Sequence, residues 1–170
     1  FNFSKALCQN FIIDDSVCPT MAEMLKADEK TGVLEVGPGV GVLTKELCKR
    51  AGKVVSVELD ERLYPVLEQT LADYDNFELV KGDVMKIDLK QLIAEKFADC
   101  DTVKVCANLP YYITSPVIMM LLQSRLPVSE IEVMVQQEAA ERLCAPIGSR
   151  EAGAVSVAVN YYGESEILFN

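Results

Sequence analysis

Short runs rich in β-branched and aromatic residues recur at 33–36, 54–58, 77–81, 103–107, 131–135 and 155–161, separated by stretches in which apolar residues have helical spacing. This alternation constrains the fold more than any other feature. Strands that each wait for a helix before the next strand pair in parallel, through crossovers. Val17, Met21 and Met24 share one helical face, as do Leu63, Leu67 and Leu71, so helices cover the sheet. Ser115-Pro116 reads as a cap and a first-turn proline opening another helix, whose Met119-Met120-Leu121-Leu122 stretch belongs to the core. The last runs lie closer together, and an apolar run at 167–169 follows a turn at Gly163, which predicts a hairpin. The expected fold is α/β: a mostly parallel sheet flanked by helices, with an antiparallel C-terminal strand region. At 170 residues and 50% apolar content, one domain spanning 1–170 has enough core to stand alone.

The first run leads into VLEVGPGVG at 33–41, with a helical pattern from Val42 onward. Gly37, Gly39 and Gly41 let the backbone turn sharply and approach a ligand, and the following helix start offers free N–H groups. A tight strand-to-helix turn without a ligand has the same residues. The second run ends on Glu58, about 20 positions beyond Gly37, where doubly wound folds place an acceptor for ribose hydroxyls. The two motifs together describe a nucleoside pocket and leave both NAD and S-adenosylmethionine open. GxGxG spacing with Glu35 just ahead leans toward S-adenosylmethionine. Asp83, after the third run, is placed to accept from an adenine amine or to cap the following turn.

The fourth run delivers Asn108-Leu109-Pro110-Tyr111 to the same carboxyl edge of the sheet, where ligands of open α/β sheets bind. An adenine amine is a poor nucleophile because its lone pair is delocalised into the ring. The Asn108 side-chain oxygen and a neighbouring carbonyl such as that of Leu109 are two acceptors for its protons, and Tyr111 supplies a stacking face. No strong base is required, and with no histidine in the chain none of the histidine triads is available.

Composition narrows the partners. A net charge of −10 argues against a stand-alone nucleic-acid binder, whose phosphate contacts come from Lys and Arg. The six cysteines are dispersed without a C-x-x-C pair, which suggests reduced thiols and neither a metal site nor a disulfide framework. The longest apolar run, 117–122, is too short to span a bilayer.

The ordered set LCQNFIID (7–14), EVGPGVG (35–41), VELD (57–60), GDV (82–84) and ANLPYYITSP (107–116) resembles the bacterial small-subunit (16S) rRNA adenine dimethyltransferases of the KsgA type. VQQEAAERLCAPIGSREAGAVSVAVNYY (135–162) is similar to the segment that follows in that family, so the resemblance covers essentially the whole chain. It implies a Rossmann-like, class I S-adenosylmethionine-dependent methyltransferase domain over 1–170. The implied cofactor site is Asn10, Ile12, Gly37, Glu58, Asp83 and Asn108, and Asn108, Leu109, Pro110 and Tyr111 hold the target adenine. The implied reaction is methylation, twice each, of the N6 amines of two adjacent adenosines in a hairpin loop near the end of small-subunit rRNA. The implied partner is that rRNA or the immature small ribosomal subunit, met by a cytoplasmic monomer with no membrane association. Cys8 stands where the family usually has glycine, which alters the loop over the cofactor if a positive φ is needed there. The family's basic arm ahead of Phe1, and its proline-rich loop, closing strand and helical RNA-binding domain beyond Asn170, are missing. The expectation is a catalytic domain that binds cofactor and methylates poorly. The alternatives are a large-subunit rRNA dimethyltransferase of the macrolide-resistance type, an assembly checkpoint factor acting by occupancy and, more remotely, a NAD-dependent oxidoreductase.

Overall fold

The computed structural model describes residues 15–169; Cys8, Asn10 and Ile12 lie outside that range. Five strands form one sheet: β1 (Thr31–Val36), β2 (Lys53–Glu58), β3 (Phe77–Lys81), β4 (Thr102–Asn108) and β5 (Glu130–Met134), in the order β3-β2-β1-β4-β5. Every pairing is parallel, as the strand-helix alternation requires. Seven helices connect and flank them: α1 (Val17–Met24), α2 (Val42–Cys48), α3 (Tyr64–Thr70), α4 (Leu89–Lys96), α5 (Thr114–Gln123), α6 (Gln137–Leu143) and α7 (Ala154–Tyr162).

Both faces of the sheet are covered, which is why β1 is buried along its whole length. On one face α1 and α2 pack over Val33, Val54 and Cys106, with α3 continuing the layer through Leu63, Leu67 and Leu71. On the other, α4, α5 and α7 close over Leu34, Val36, Val55, Val57 and Val105. α5 begins two residues earlier than a Ser115 cap followed by Pro116 suggests: Ile113 is the N-cap, and Thr114 is the first residue and donates through Oγ1 to the Pro110 carbonyl at 3.0 Å. The five described cysteines are free thiols.

Two expectations for the C-terminal region are overturned. Residues 155–161 lie in α7 and form no strand. Their valines alternate as a strand would, but Val155 and Val159 are one helical turn apart and both pack on the main core. Ser156 fixes the first turn, its Oγ accepting from the Gly153 N–H at 3.0 Å and donating to the Arg142 carbonyl at 2.6 Å. Packing and these local bonds outweigh the weak preference of β-branched residues against helix. The run at 167–169 pairs with no described segment, so the antiparallel strand region and its hairpin are absent from the described residues, where all five strands run parallel. A strand exists only with a ladder partner.

On the α1–α2 face a polar row crosses the sheet in register: Ser56 on β2, Glu35 on β1, Cys106 on β4 and Glu132 on β5. Glu35 is 1% exposed, and its Oε2 accepts from Thr44 Oγ1 at 2.8 Å and from Ser56 Oγ at 2.5 Å. Burial pushes its pKa up to about 7 against the opposing pull of these two donors. Glu132 is 6% exposed, and among the described residues neither of its carboxylate oxygens has a hydrogen-bond partner. Burial, and after it the neighbouring Glu130, raise its pKa to about 7, with Lys104 opposing.

A carboxyl whose folded pKa lies above its unfolded value weakens folding as pH rises between the two and keeps the full penalty beyond the folded value. For Glu132 the window runs from about pH 4.5 to about pH 7. Glu132→Gln is expected to stabilise the protein by about 1–3 kcal/mol at pH 8 and to change little at pH 4.5, measured by urea unfolding. Indistinguishable midpoints at pH 8 would contradict the unpaired buried carboxyl. Ser56→Ala has the opposite sign: it removes one of two donors to Glu35 and is expected to destabilise by about 1–3 kcal/mol, with the larger deficit at pH 8, where the ionised form depends most on its donors.

Candidate active site

The strand order reverses between β1 and β4, so the loops leaving their carboxyl ends diverge and open a crevice. A cavity of about 610 Å³ occupies it, lined by residues from the ends of all five strands. This is within the roughly 300–1,000 Å³ usual for cofactor-sized ligands.

The β1 loop forms the floor. Gly37 and Gly39 have φ of 70° and 61°, and nothing lies within 4 Å of where a side chain would begin, so both present bare backbone to open space. The loop is stitched to its neighbour. The Gly37 N–H donates to the Val57 carbonyl at 3.0 Å, and the Gly39 N–H donates to Glu58 Oε2 at 3.2 Å. Glu58 Oε1 accepts from the Asp60 N–H at 2.8 Å. Burial raises the Glu58 pKa, and the backbone donors from Asp60, Gly39 and Leu59 oppose it. The β3 end is tied on by Gly82, whose N–H donates to the Glu58 carbonyl at 2.8 Å. Asp83 lines the cavity and also caps its own turn, Oδ1 accepting from the Met85 N–H at 3.0 Å. Both readings of Asp83 therefore have a geometric basis.

At the end of β4 the Leu109 N–H donates to the Met134 carbonyl of β5 at 3.0 Å, and the Leu109 side chain is buried. The Pro110 carbonyl is taken by Thr114 Oγ1 and by the Ile113 N–H at 3.2 Å, which starts the 3₁₀ turn Tyr111–Ile113. Among the described residues no hydrogen bond engages the Asn108 carboxamide or the Leu109 carbonyl. Two acceptors thus sit side by side without partners, next to the exposed ring of Tyr111.

The structure brings Gly37, Glu58, Asp83, Asn108, Leu109, Pro110 and Tyr111 to one cavity; Asn10 and Ile12 fall outside the described residues. Sequence reasoning missed the apolar wall. Leu59 and Met85 line the cavity while 57% and 47% exposed, one directly after Glu58 and the other two residues after Asp83. The available signal was an apolar residue beside the acid at two successive strand ends. It also missed Gln136, which follows β5 and lines the cavity. The described lining includes the acids Asp15, Glu35, Glu58, Asp60 and Asp83 and no lysine or arginine. No group of side chains suited to a metal ion occurs among the described residues.

Comparison with known proteins agrees with this architecture. Residues 1–170 match the family model described as ribosomal RNA adenine dimethylase. The ribosomal RNA small subunit methyltransferase A of Bacillus licheniformis is 47% identical over 170 residues, covering 100% of this chain and 58% of that protein. The protein of the same name from Staphylococcus carnosus is 46% identical over 165 residues, 97% of this chain and 56% of that one. The chain thus spans somewhat more than half the length of these relatives. Among solved structures, a dimethyladenosine transferase from Plasmodium falciparum superposes with a TM-score of 0.72 at 28% identity, covering 89% of this chain and 52% of that one. The 23S rRNA methyltransferase ErmE gives 0.66 at 29% identity, covering 82% and 53%. The fold is the Rossmann-like one of class I S-adenosylmethionine-dependent methyltransferases. From its motifs, its cavity and its full-length family match, the chain belongs to the ribosomal RNA adenine dimethylase family.

Proposed function

We propose that this protein transfers methyl groups from S-adenosylmethionine to the N6 amines of two adjacent adenosines in a hairpin loop near the 3′ end of small-subunit rRNA, giving dimethyladenosines during ribosome biogenesis. Residues 1–170 are the catalytic domain, and the small-subunit rRNA or its immature particle is the partner. The choice of small over large subunit rests on the names of the relatives above 40% identity. Among the described residues no helix is long and apolar enough to cross a membrane.

The observation that carries the cofactor's identity is the charge of the cavity. The described lining is acidic and holds no basic side chain, although Arg62 and Lys86 outside it pair with Asp60 and Asp83; the remaining carboxylates suit a ligand bearing sulfonium and ammonium charges and disfavour the pyrophosphate of a dinucleotide. The residues fit the group. Bare backbone at Gly37 and Gly39 admits close approach. Glu58 keeps acceptor capacity for ribose hydroxyls beyond its backbone donors, and two such hydroxyls would offset the desolvation that raises its pKa. Leu59 and Met85 offer apolar surface to a flat base, with Asp83 as acceptor for its amine. When bound, S-adenosylmethionine supplies an electrophilic methyl group.

The chain's own contribution to the reaction is orientation. Asn108 Oδ1 and the Leu109 carbonyl accept the two protons of the target amine, which turns its lone pair toward the methyl donor. Tyr111 stacks on the target base, a contact worth about 1–3 kcal/mol. The proton lost on methylation leaves to water, since neither acceptor is a base of useful strength. A loop adenosine suits the site because an unpaired base is extruded at little expense.

Glu58→Ala is expected to weaken S-adenosylmethionine by about ten- to a hundredfold in calorimetric titration, through lost ribose hydrogen bonds; unchanged affinity means the nucleoside lies elsewhere. Asn108→Ala is expected to lower methyl transfer to unmethylated small-subunit particles about a hundredfold or more while the particle still binds. Mass spectrometry of rRNA nucleosides reads the product directly, and dimethyladenosine at the wild-type rate would remove Asn108 from the mechanism.

A further inference from the structure

Gln136 is a neutral polar residue of the cavity that the proposed reaction leaves unused. It follows β5 two residues beyond Met134, and Met134 both pairs with Asn108 in the sheet and holds the Leu109 N–H through its carbonyl. The backbone of Gln136 is fixed. Its carbonyl accepts from the Ala139 and Ala140 N–H groups at 2.9 and 3.0 Å, and φ and ψ are −62° and 146° as it enters α6. Its side chain does not cap that helix and makes no hydrogen bond among the described residues. Neighbouring Gln137, by contrast, is engaged with Glu141 along the helix. Gln136 therefore presents a free carboxamide on a rigid mount, at the rim beside the two free acceptors of the Asn108-Leu109 step.

The chemistry of an adenine in that position says what the carboxamide is for. Once Asn108 and Leu109 accept both protons of the amine, the base still carries bare ring nitrogens that have lost water. A hydrogen-bond donor is needed there, because an unsatisfied acceptor retains the full desolvation penalty. The charged lining of the cavity consists of carboxylates, which supply none. Its neutral side chains with donors are Asn108, Tyr111, Tyr112 and Gln136, with Asn108 and Tyr111 already committed to the amine and to stacking. Tyr112 stands in the 3₁₀ turn, 49% exposed.

We infer that Gln136 is a base-contacting residue that donates through Nε2 to a ring nitrogen of the target adenine, fixing the base in plane while the amine is held by Asn108 and Leu109. This rests on the proposed reaction at the same site. A carboxamide donor favours adenine at the Watson–Crick edge, where guanine presents an N–H in place of the acceptor.

The test uses Gln136→Glu and Gln136→Leu in the intact protein, assayed on unmethylated small-subunit particles. The Glu variant keeps the shape of the side chain and places an acid at the N-cap of α6, where it is tolerated, but at neutral pH it has no donor. Both variants are expected to lower kcat about three- to tenfold, leaving the S-adenosylmethionine affinity and the thermal midpoint unchanged. Gln136→Glu at wild-type kcat overturns the inference, because shape alone then suffices. A fall in cofactor affinity equal to the fall in kcat also overturns it, by placing Gln136 on the cofactor. A wild-type protein that methylates no adenosine on these particles sinks the underlying reaction as well, so the two failures are distinguishable.

Discussion

A carboxylate buried at the centre of the sheet, that of Glu35, holds the functional end of this fold together. Its side chain is removed from water and, among the described residues, receives hydrogen bonds from Thr44 on α2 and Ser56 on β2. An uncompensated buried carboxylate is costly, so β1, β2 and α2 must keep their mutual register for the protein to stay folded. The glycine loop lies between Glu35 and Thr44, anchored at both ends. Glu58 then repeats the device at the surface of the cavity, receiving the Gly39 N–H and tying the loop to the next strand. Bare backbone at Gly37 and Gly39 is held in place by acids on either side of it.

The polar row that contains Glu35 ends in a contrast. Glu35 has its two donors, whereas Glu132 on β5 has none among the described residues, and burial pushes the pKa of both up to about 7. The same face also holds Lys104, which bonds the Leu25 carbonyl and Glu130 and so fastens α1 to the outer strands. Polar groups on this face thus act as fasteners between elements, while the opposite face under α4, α5 and α7 is almost wholly apolar. The charge of the cavity follows from the same arrangement, since acids stand at or just past the ends of successive strands, while Arg62 and Lys86, which pair with Asp60 and Asp83, lie outside the described lining. Such a field disfavours phosphate and admits an uncharged base.

Much of the site was legible in the sequence because it is set by position within repeated strand-to-loop transitions. Gly37, Glu58, Asp83 and Asn108 each end or closely follow a parallel strand, and parallel strands end at one edge, so their convergence follows from the alternation of strands and helices alone. Leu59, Met85 and Gln136 were not legible. Each follows the same transitions but is chemically ordinary, and only the enclosed shape of the cavity shows which neighbours of the acids face inward. The C-terminal region misled for a different reason. The valines at 155, 157 and 159 satisfy both a strand and a helix pattern, and the decision was made by what they pack against: Val155 and Val159 on the core, with Ser156 bonded to Arg142.

The sequence by itself determined the parallel α/β sheet, the glycine loop and the polar residues Glu58, Asp83 and Asn108 at its carboxyl edge, because spacing along the chain dictates these through backbone geometry. Tertiary structure alone decided which acceptors remain unpaired. The Pro110 carbonyl is consumed by Thr114 and Ile113, whereas the Leu109 carbonyl and the Asn108 carboxamide are left free. Hydrogen-bond partners come from elements distant in the chain or from the turn that follows, and no local pattern specifies which groups those partners will reach. The tetrapeptide names the available acceptors, and the packed fold selects the two that can hold an amine.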